Sequence, residues 1–111
     1  MRHKVKKGDI ILFKDCQYFN EGFKKDYKNT VVRVIKTSGS LNNLYIDILF
    51  NDPISLQERG FALGEDEYEI LTGLKRKWFD KRINKGGNAY FISDYPKIHN
   101  KEVFKQLNIK V

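Results

Sequence analysis

The sequence predicts a mainly β fold, a small barrel of about five strands followed by a basic α+β extension at the C-terminus. Short segments rich in β-branched and aromatic residues recur over residues 5–72, and turn-forming residues separate them. Beyond residue 73 the apolar spacing becomes helical and the charge becomes strongly positive. The chain has 111 residues, and domains usually have about 100–150. We therefore expect a single domain over residues 1–111.

The predicted strands are marked by apolar runs that end at turn residues. The first follows Gly8 and contains the apolar run from Ile10 to Phe13, and the second is dense in β-branched residues. The third ends at Asn51-Asp52-Pro53, a cluster of turn formers. The five strands are predicted over residues 9–14, 30–36, 44–50, 60–64 and 68–71. Closing such strands into a barrel removes unpaired sheet edges.

The segment 5–72 resembles the SH3-like small barrels of the KOW and Tudor type. The resemblance is carried by an opening strand after Gly-Asp, a β-branched second strand and an acidic residue before a closing Ile-Leu. These are Lys7-Gly8-Asp9-Ile10-Ile11-Leu12, Thr30-Val31-Val32-Arg33-Val34-Ile35 and Asp66-Glu67-Tyr68-Glu69-Ile70-Leu71. A KOW motif also has a glycine just before Val31, where this chain has Asn29-Thr30. The resemblance implies an SH3-like barrel at 5–72 with residues 74–111 as its extension.

A long insertion separates the first two predicted strands. Four aromatic residues lie in it, and these are Tyr18, Phe19, Phe23 and Tyr27. They form either a lid packed over one end of the barrel or an exposed contact surface, and we favour packing. Cys16 begins the insertion and is the only cysteine of the chain. It excludes a disulfide within the chain, and we expect a small buried side chain and a reducing, cytoplasmic setting.

The C-terminal third combines helical and extended patterns. Leu74, Trp78, Phe79 and Ile83 are spaced as on a short helix, with the basic residues expected on its outer face. A turn at 85–88 precedes a predicted strand at 89–93. Asn100 is a plausible N-cap for a last helix, whose apolar face would be Val103, Phe104 and Leu107. Because this extension has its own aromatic residues, we expect it to pack on the barrel.

The charge is unevenly distributed along the chain. The net charge is +7. Residues 1–73 hold eleven Lys or Arg and eleven Asp or Glu, whereas residues 74–111 hold ten and three. The whole positive excess therefore lies in the C-terminal third, next to the acidic patch Glu65-Asp66-Glu67. This distribution predicts a neutral body with one basic side.

The basic run predicts a nucleic-acid-binding accessory protein. Lysine and arginine neutralise phosphates, which gives an affinity largely independent of sequence, and an aromatic ring among them stacks on an unpaired base. Lysines outnumber arginines sixteen to five, which favours backbone attraction over reading of base edges. The predicted binding residues are Lys75, Arg76, Lys77, Trp78, Lys81, Arg82 and Lys85. For Trp78 and Phe79, a place in the core is an equal alternative, and DNA and RNA are not distinguished.

A second hypothesis is a protein-binding module or inhibitor without catalytic activity. Such a basic protein would dock on an acidic surface of a host protein or of a nucleoprotein complex. Its anchors would be the aromatic residues Tyr18, Phe19, Phe23 and Tyr27, since aromatic side chains concentrate interface energy. The composition is rich in Lys, Asn and Ile, which is associated with AT-rich bacterial or phage genomes. The oligomeric state stays open.

Enzymatic activity is the minority interpretation. His3 and His99 are the only histidines, and they lie near opposite ends of the chain. Together with Cys16 they do not give the close spacing of a zinc site. No glycine-rich phosphate loop precedes a Lys-Ser/Thr pair. Toxin endoribonucleases with a small barrel also begin with a Gly-Asp-Ile strand, but their usual second-strand motif is missing here. We expect no catalytic residue, no metal and no cofactor, and no membrane-spanning segment.

Overall fold

The computed structural model describes residues 4–14, 27–39, 45–53, 55–84, 86 and 90–95. These residues form one five-stranded antiparallel sheet in the order β4-β3-β2-β1-β5 and the helix α1. The bounds are β1 Ile10–Phe13, β2 Val31–Gly39, β3 Tyr45–Asn51, β4 Glu58–Gly64, β5 Tyr68–Ile70 and α1 Gly73–Asn84. The mainly β prediction is confirmed, and each of the five predicted strands overlaps an observed one.

The strand β2 joins two halves of the sheet. Its first residues pair with β1, with Arg33 opposite Ile10, and β1 pairs on its other side with β5. From Val34 onward β2 pairs with β3, and the register shifts between Val34 and Lys36. A shift of this kind is a bulge, which bends the strand and increases its twist. The strand β2 therefore changes its pairing partner from β1 to β3 close to this bulge.

All five strands contribute to one main core. Its centre is a group of aromatic rings, Phe13, Tyr27, Phe50 and Phe61, with ring centroids 5.1–6.3 Å apart. Tyr68 of β5 and Leu63 of β4 belong to the same buried cluster. Edge-to-face packing of this type favours fixed ring positions beyond simple burial of area. Residues of all five strands therefore share a single buried cluster with an aromatic centre.

A second, smaller core lies on the outer face of β1 and β2. It consists of the buried residues Ile10, Val31, Leu71, Trp78 and Phe79. The helix α1 supplies the last two of these and so packs directly against the sheet. Along β1, Ile11 and Phe13 enter the main core while Ile10 enters the second one. Burial on both faces explains why this strand is an unbroken apolar run and does not alternate.

Among the described residues, two positions other than glycine have a left-handed backbone. Asn29, just before β2, has φ +66°, and Leu56, between β3 and β4, has φ +64°. Asparagine enters this region at small cost because its short side chain bonds locally, whereas a leucine there is unusual. Asn29 therefore adopts, two residues before Val31, the left-handed conformation that a glycine would adopt at the same turn.

A 3-10 helix at Glu65–Glu67 joins β4 to β5. The carboxylate of Glu67 is 8% exposed and accepts a hydrogen bond from the Gly64 N–H at 2.6 Å. Burial of the phenol, together with the nearby carboxylate of Glu65, raises the pKa of Tyr68. The acidic patch of the sequence is thus a structural connection in which Glu67 holds the turn.

The C-terminal predictions are only partly met. The helix predicted around Leu74 to Ile83 is confirmed as α1. The strand predicted over 89–93 is wrong in extent: Phe91 forms an isolated bridge with Thr30, and Ile92–Asp94 is a 3-10 turn. The last helix predicted from Asn100 lies outside the described residues, as do Cys16 and His99. Among the described elements, none is a helix with the length and apolar character needed to cross a bilayer.

Candidate nucleic-acid interface

The helix α1 carries most of the predicted binding residues. It holds five cationic side chains and a single carboxylate, that of Asp80. The cations are Lys75, Arg76, Lys77, Lys81 and Arg82. Lys85 follows the helix and lies outside the described residues. Since α1 is anchored by Trp78 and Phe79, these charges project from a fixed support.

Trp78 is a core residue, which corrects its prediction as a stacking ring. Its side chain is 4% exposed, and its ring packs against Phe79 at 5.0 Å and Tyr95 at 5.7 Å between centroids. A base requires an open ring face, and these contacts occupy the ring. The spacing of Trp78 and Phe79 was correctly assigned to a helix, but their face is turned to β1 and β2.

Two of the cations lie beside aromatic rings of the second core, the buried Trp78 and the half-buried Tyr95. The guanidinium carbon of Arg82 is 4.9 Å from the centroid of the Trp78 ring, and Lys75 Nζ is 5.8 Å from that of Tyr95. Both distances are within the range of cation–π attraction. The expectation that the basic residues lie on the outer face is therefore met only in part: of the five cations of α1, Lys77 is exposed and the other four are half-buried.

Ion pairs with the sheet engage other charges of α1. Asp80 bonds the guanidinium of Arg33 in β2, and the same Nη2 donates to Asn84 at 2.7 Å. Arg76 lies 3.5 Å from the carboxylate of Asp9, just before β1. The only anion of α1 is thereby neutralised from the sheet. Lys77 and Lys81 have no carboxylate partner among the residues that the structure describes.

The backbone that follows two further lysines lies against α1. Arg76 Nη2 lies 3.5 Å from the backbone oxygen of Gly8. Lys6 and Lys7, directly before this glycine, are exposed. In the sequence they belong to the neutral part of the chain. No pattern in the neighbouring residues indicates that they come near a helix almost seventy positions further along. We use the term basic surface for Lys6, Lys7, Arg76, Lys77 and Lys81.

A cavity of about 260 Å³ lies where β2, the β3–β4 connection and the end of α1 meet. Its walls include Arg33 from β2, Asn51 from β3, Ile83 from α1 and the half-buried Tyr90. Leu56, 85% exposed, forms part of its rim. The Val31 N–H donates a hydrogen bond to the backbone carbonyl oxygen of Tyr90, and this bond holds Tyr90 beside β2. No pattern in the sequence singles out Tyr90.

Of the aromatic group proposed for protein binding, only Tyr27 is described. It is buried in the main core at 2% exposure, and its hydroxyl donates to the carboxylate of Asp52. Asp52 also accepts from Ser55 at 2.6 Å and from Arg59 at 2.8 Å. Tyr27 is thus packed, as the preferred interpretation of the insertion expects, and is not an exposed anchor. Tyr18, Phe19 and Phe23 lie outside the described residues.

Within the described ranges, no three His, Cys, Asp or Glu side chains come together as metal ligands would. Comparison of the chain with family models, curated proteins and solved structures finds no match.

Proposed function

We propose that the protein is a small nucleic-acid-binding accessory protein that attracts the phosphate backbone largely without regard to sequence. The observation that carries the proposal is the neutralisation of Asp80 by Arg33, which leaves Lys77 and Lys81 on α1 without an opposing carboxylate among the described residues. Lysines in this state bind phosphate as point charges and release counterions. The exposed Lys6 and Lys7 extend the same charge next to the helix.

The proposed mode does not require a stacking ring on α1. Trp78 anchors the helix, and the cations around it supply the attraction. Because α1 is docked on the sheet before any ligand arrives, its lysines lose less conformational freedom on binding than those of a free arm would. The second core therefore contributes to binding by holding α1 and its cations in a fixed position.

The test compares two double variants with the same change in total charge. Lys77→Gln with Lys81→Gln removes charge from the basic surface, whereas Lys14→Gln with Lys36→Gln removes it from exposed lysines of the sheet region. At about 0.1 M salt the first pair should lose roughly tenfold in affinity per lysine, since each phosphate contact contributes about 0.9 to the salt slope. Fluorescence anisotropy with a labelled oligonucleotide measures both. Equal losses in the two pairs would contradict the proposal.

An acidic protein surface would meet the same cations, and this is the competing interpretation. A pull-down from nuclease-treated lysate separates the two, because a nucleic-acid-binding protein loses its partners when the nucleic acid is digested. Recovery of one stoichiometric protein after digestion would favour the protein partner.

We also propose that the sheet is an SH3-like barrel. Three observations support this: the bend of β2 at the register shift, the single core to which all five strands contribute, and the left-handed Asn29 where a KOW motif has a glycine nearby. A strand that pairs with different neighbours along its length, with a bulge between, is how a sheet folds back over its own core.

A further inference from the structure

The cavity between Tyr90, Arg33 and Asn51 lies at the end of the basic helix, and its lining suits a ligand that combines a flat ring with polar edges. We propose that this cavity receives one unstacked base of a single-stranded nucleic acid. The inference rests on the proposed function, since the phosphates next to the base would be held by the basic surface. It adds to that function a preference for single strands over duplex.

The size of the cavity fits one ring system. Small-molecule sites usually have volumes of about 300–1,000 Å³. The volume here, about 260 Å³, is just below that range, so the cavity suits a ligand as small as one ring system. Ile83 and Leu56 supply apolar walls, and Tyr90 supplies an aromatic ring that is only half-buried. A base in a duplex is stacked and paired, so a closed duplex has no base to place there.

The polar groups of the cavity suit the edges of any base. Asn51 is exposed, and its amide, which both donates and accepts, has no partner among the described residues. In Arg33, Nη2 makes the bonds to Asp80 and Asn84, whereas Nε and Nη1 have no partner within the described part of the chain. Such groups give hydrogen bonds without imposing a single base identity, which agrees with sequence-independent binding of the backbone.

Charge decides which occupant the cavity favours. Ile83, one of its walls, belongs to the same helix as Lys77 and Lys81. The carboxylate of Asp52, another lining residue, is paired with Arg59. A ligand that fills the cavity and also reaches the lysines of α1 has to combine a flat ring with repeated negative charge. A nucleic-acid single strand has this combination at every residue, whereas an acidic peptide would need an aromatic residue at one particular position.

The experiment measures affinity for a ten-residue oligothymidine and for a duplex of the same length, in Tyr90→Ala and in Phe91→Ala. Phe91 is the matched control because it is the neighbouring aromatic residue, is 44% exposed and does not line the cavity. Tyr90→Ala should lose about 5- to 150-fold in oligothymidine affinity, the range that removal of one stacking ring gives. Its duplex affinity should stay unchanged, and Phe91→Ala should affect neither.

A measurement on the unsubstituted protein covers the case in which Tyr90→Ala does not fold. Addition of oligothymidine should shift the backbone amide resonances of Arg33, Asn51 and Tyr90 together with those of α1. Shifts confined to α1, or an unchanged ratio of single-strand to duplex affinity in Tyr90→Ala, overturn the cavity proposal and leave the proposed function standing. Absence of binding to both oligonucleotides at low salt overturns the proposed function itself. Shifts of the cavity amides and of α1 with an acidic peptide, together with no shift anywhere with oligothymidine, overturn both.

Discussion

At the scale of single residues, buried polar groups decide local geometry. Asp52 is 1% exposed and accepts hydrogen bonds from Tyr27, Ser55 and Arg59. Its backbone also bonds within the β3–β4 connection. The Asp52 N–H donates to the Gln57 carbonyl oxygen, and the Asp52 carbonyl oxygen accepts from the Leu56 N–H. A buried carboxylate is tolerated only when such partners replace water. Asp52 therefore links the β3–β4 connection, which contains Leu56, to Tyr27, which precedes β2.

A double-mutant cycle on Asp52 and Tyr27 tests this residue-scale account. Asp52→Ala should lower the free energy of unfolding by about 1–3 kcal/mol, because the buried Tyr27 hydroxyl loses its acceptor. Once Tyr27→Phe has removed the hydroxyl, the same substitution should cost less, with a coupling of about 0.5–3 kcal/mol. Denaturant unfolding of the four proteins gives the coupling. Strictly additive losses would show that the two side chains do not depend on each other.

At the scale of elements, α1 is the part of the fold on which stability and binding meet. Its Trp78 and Phe79 fill the second core, and its cations lie around the same helix. Arg33–Asp80 ties the helix to β2, with both side chains about one-third exposed. Pairs as exposed as this contribute little to stability, about 0–1 kcal/mol. The pair matters more for the charge of α1 than for its attachment.

Asp80→Asn separates these two roles. The substitution removes the only anion of α1 and frees Arg33, so nucleic-acid affinity should rise and its salt dependence should steepen by up to about 0.9 per added phosphate contact. The free energy of unfolding should change by less than about 1 kcal/mol. Binding titrations at several salt concentrations and denaturant unfolding measure the two effects. Weaker binding by a normally folded Asp80→Asn protein would contradict the role given to α1.

At the scale of the whole molecule, the elements were predictable and their contacts were not. The strands follow from β-branched runs such as Val31 to Ile35, bounded by turn residues, and α1 follows from the spacing of Leu74, Trp78 and Ile83. Spacing identifies an apolar face but not the surface it meets, so the sequence left the burial of Trp78 open. The contact of Gly8 with Arg76 and the position of Tyr90 depend on residues far apart in the chain, and no local pattern records them.

The basic surface is likewise a property of the whole fold. In the sequence the positive excess begins after residue 73, and the first part of the chain is neutral. Folding brings Gly8, which directly follows the exposed Lys6 and Lys7, to Arg76 of α1, and Arg33 of the neutral part pairs with Asp80. The surface offered to a ligand is therefore more positive than α1 alone.

The most direct test is the salt dependence of binding to a single-stranded oligonucleotide. The logarithm of the association constant should fall linearly with the logarithm of the salt concentration, with a slope of about −0.7 for each phosphate neutralised. For the protein with Lys77→Gln and Lys81→Gln the slope should be flatter by about 1.4, corresponding to the loss of two such contacts. No binding at low salt, or the same slope for both proteins, would contradict the account.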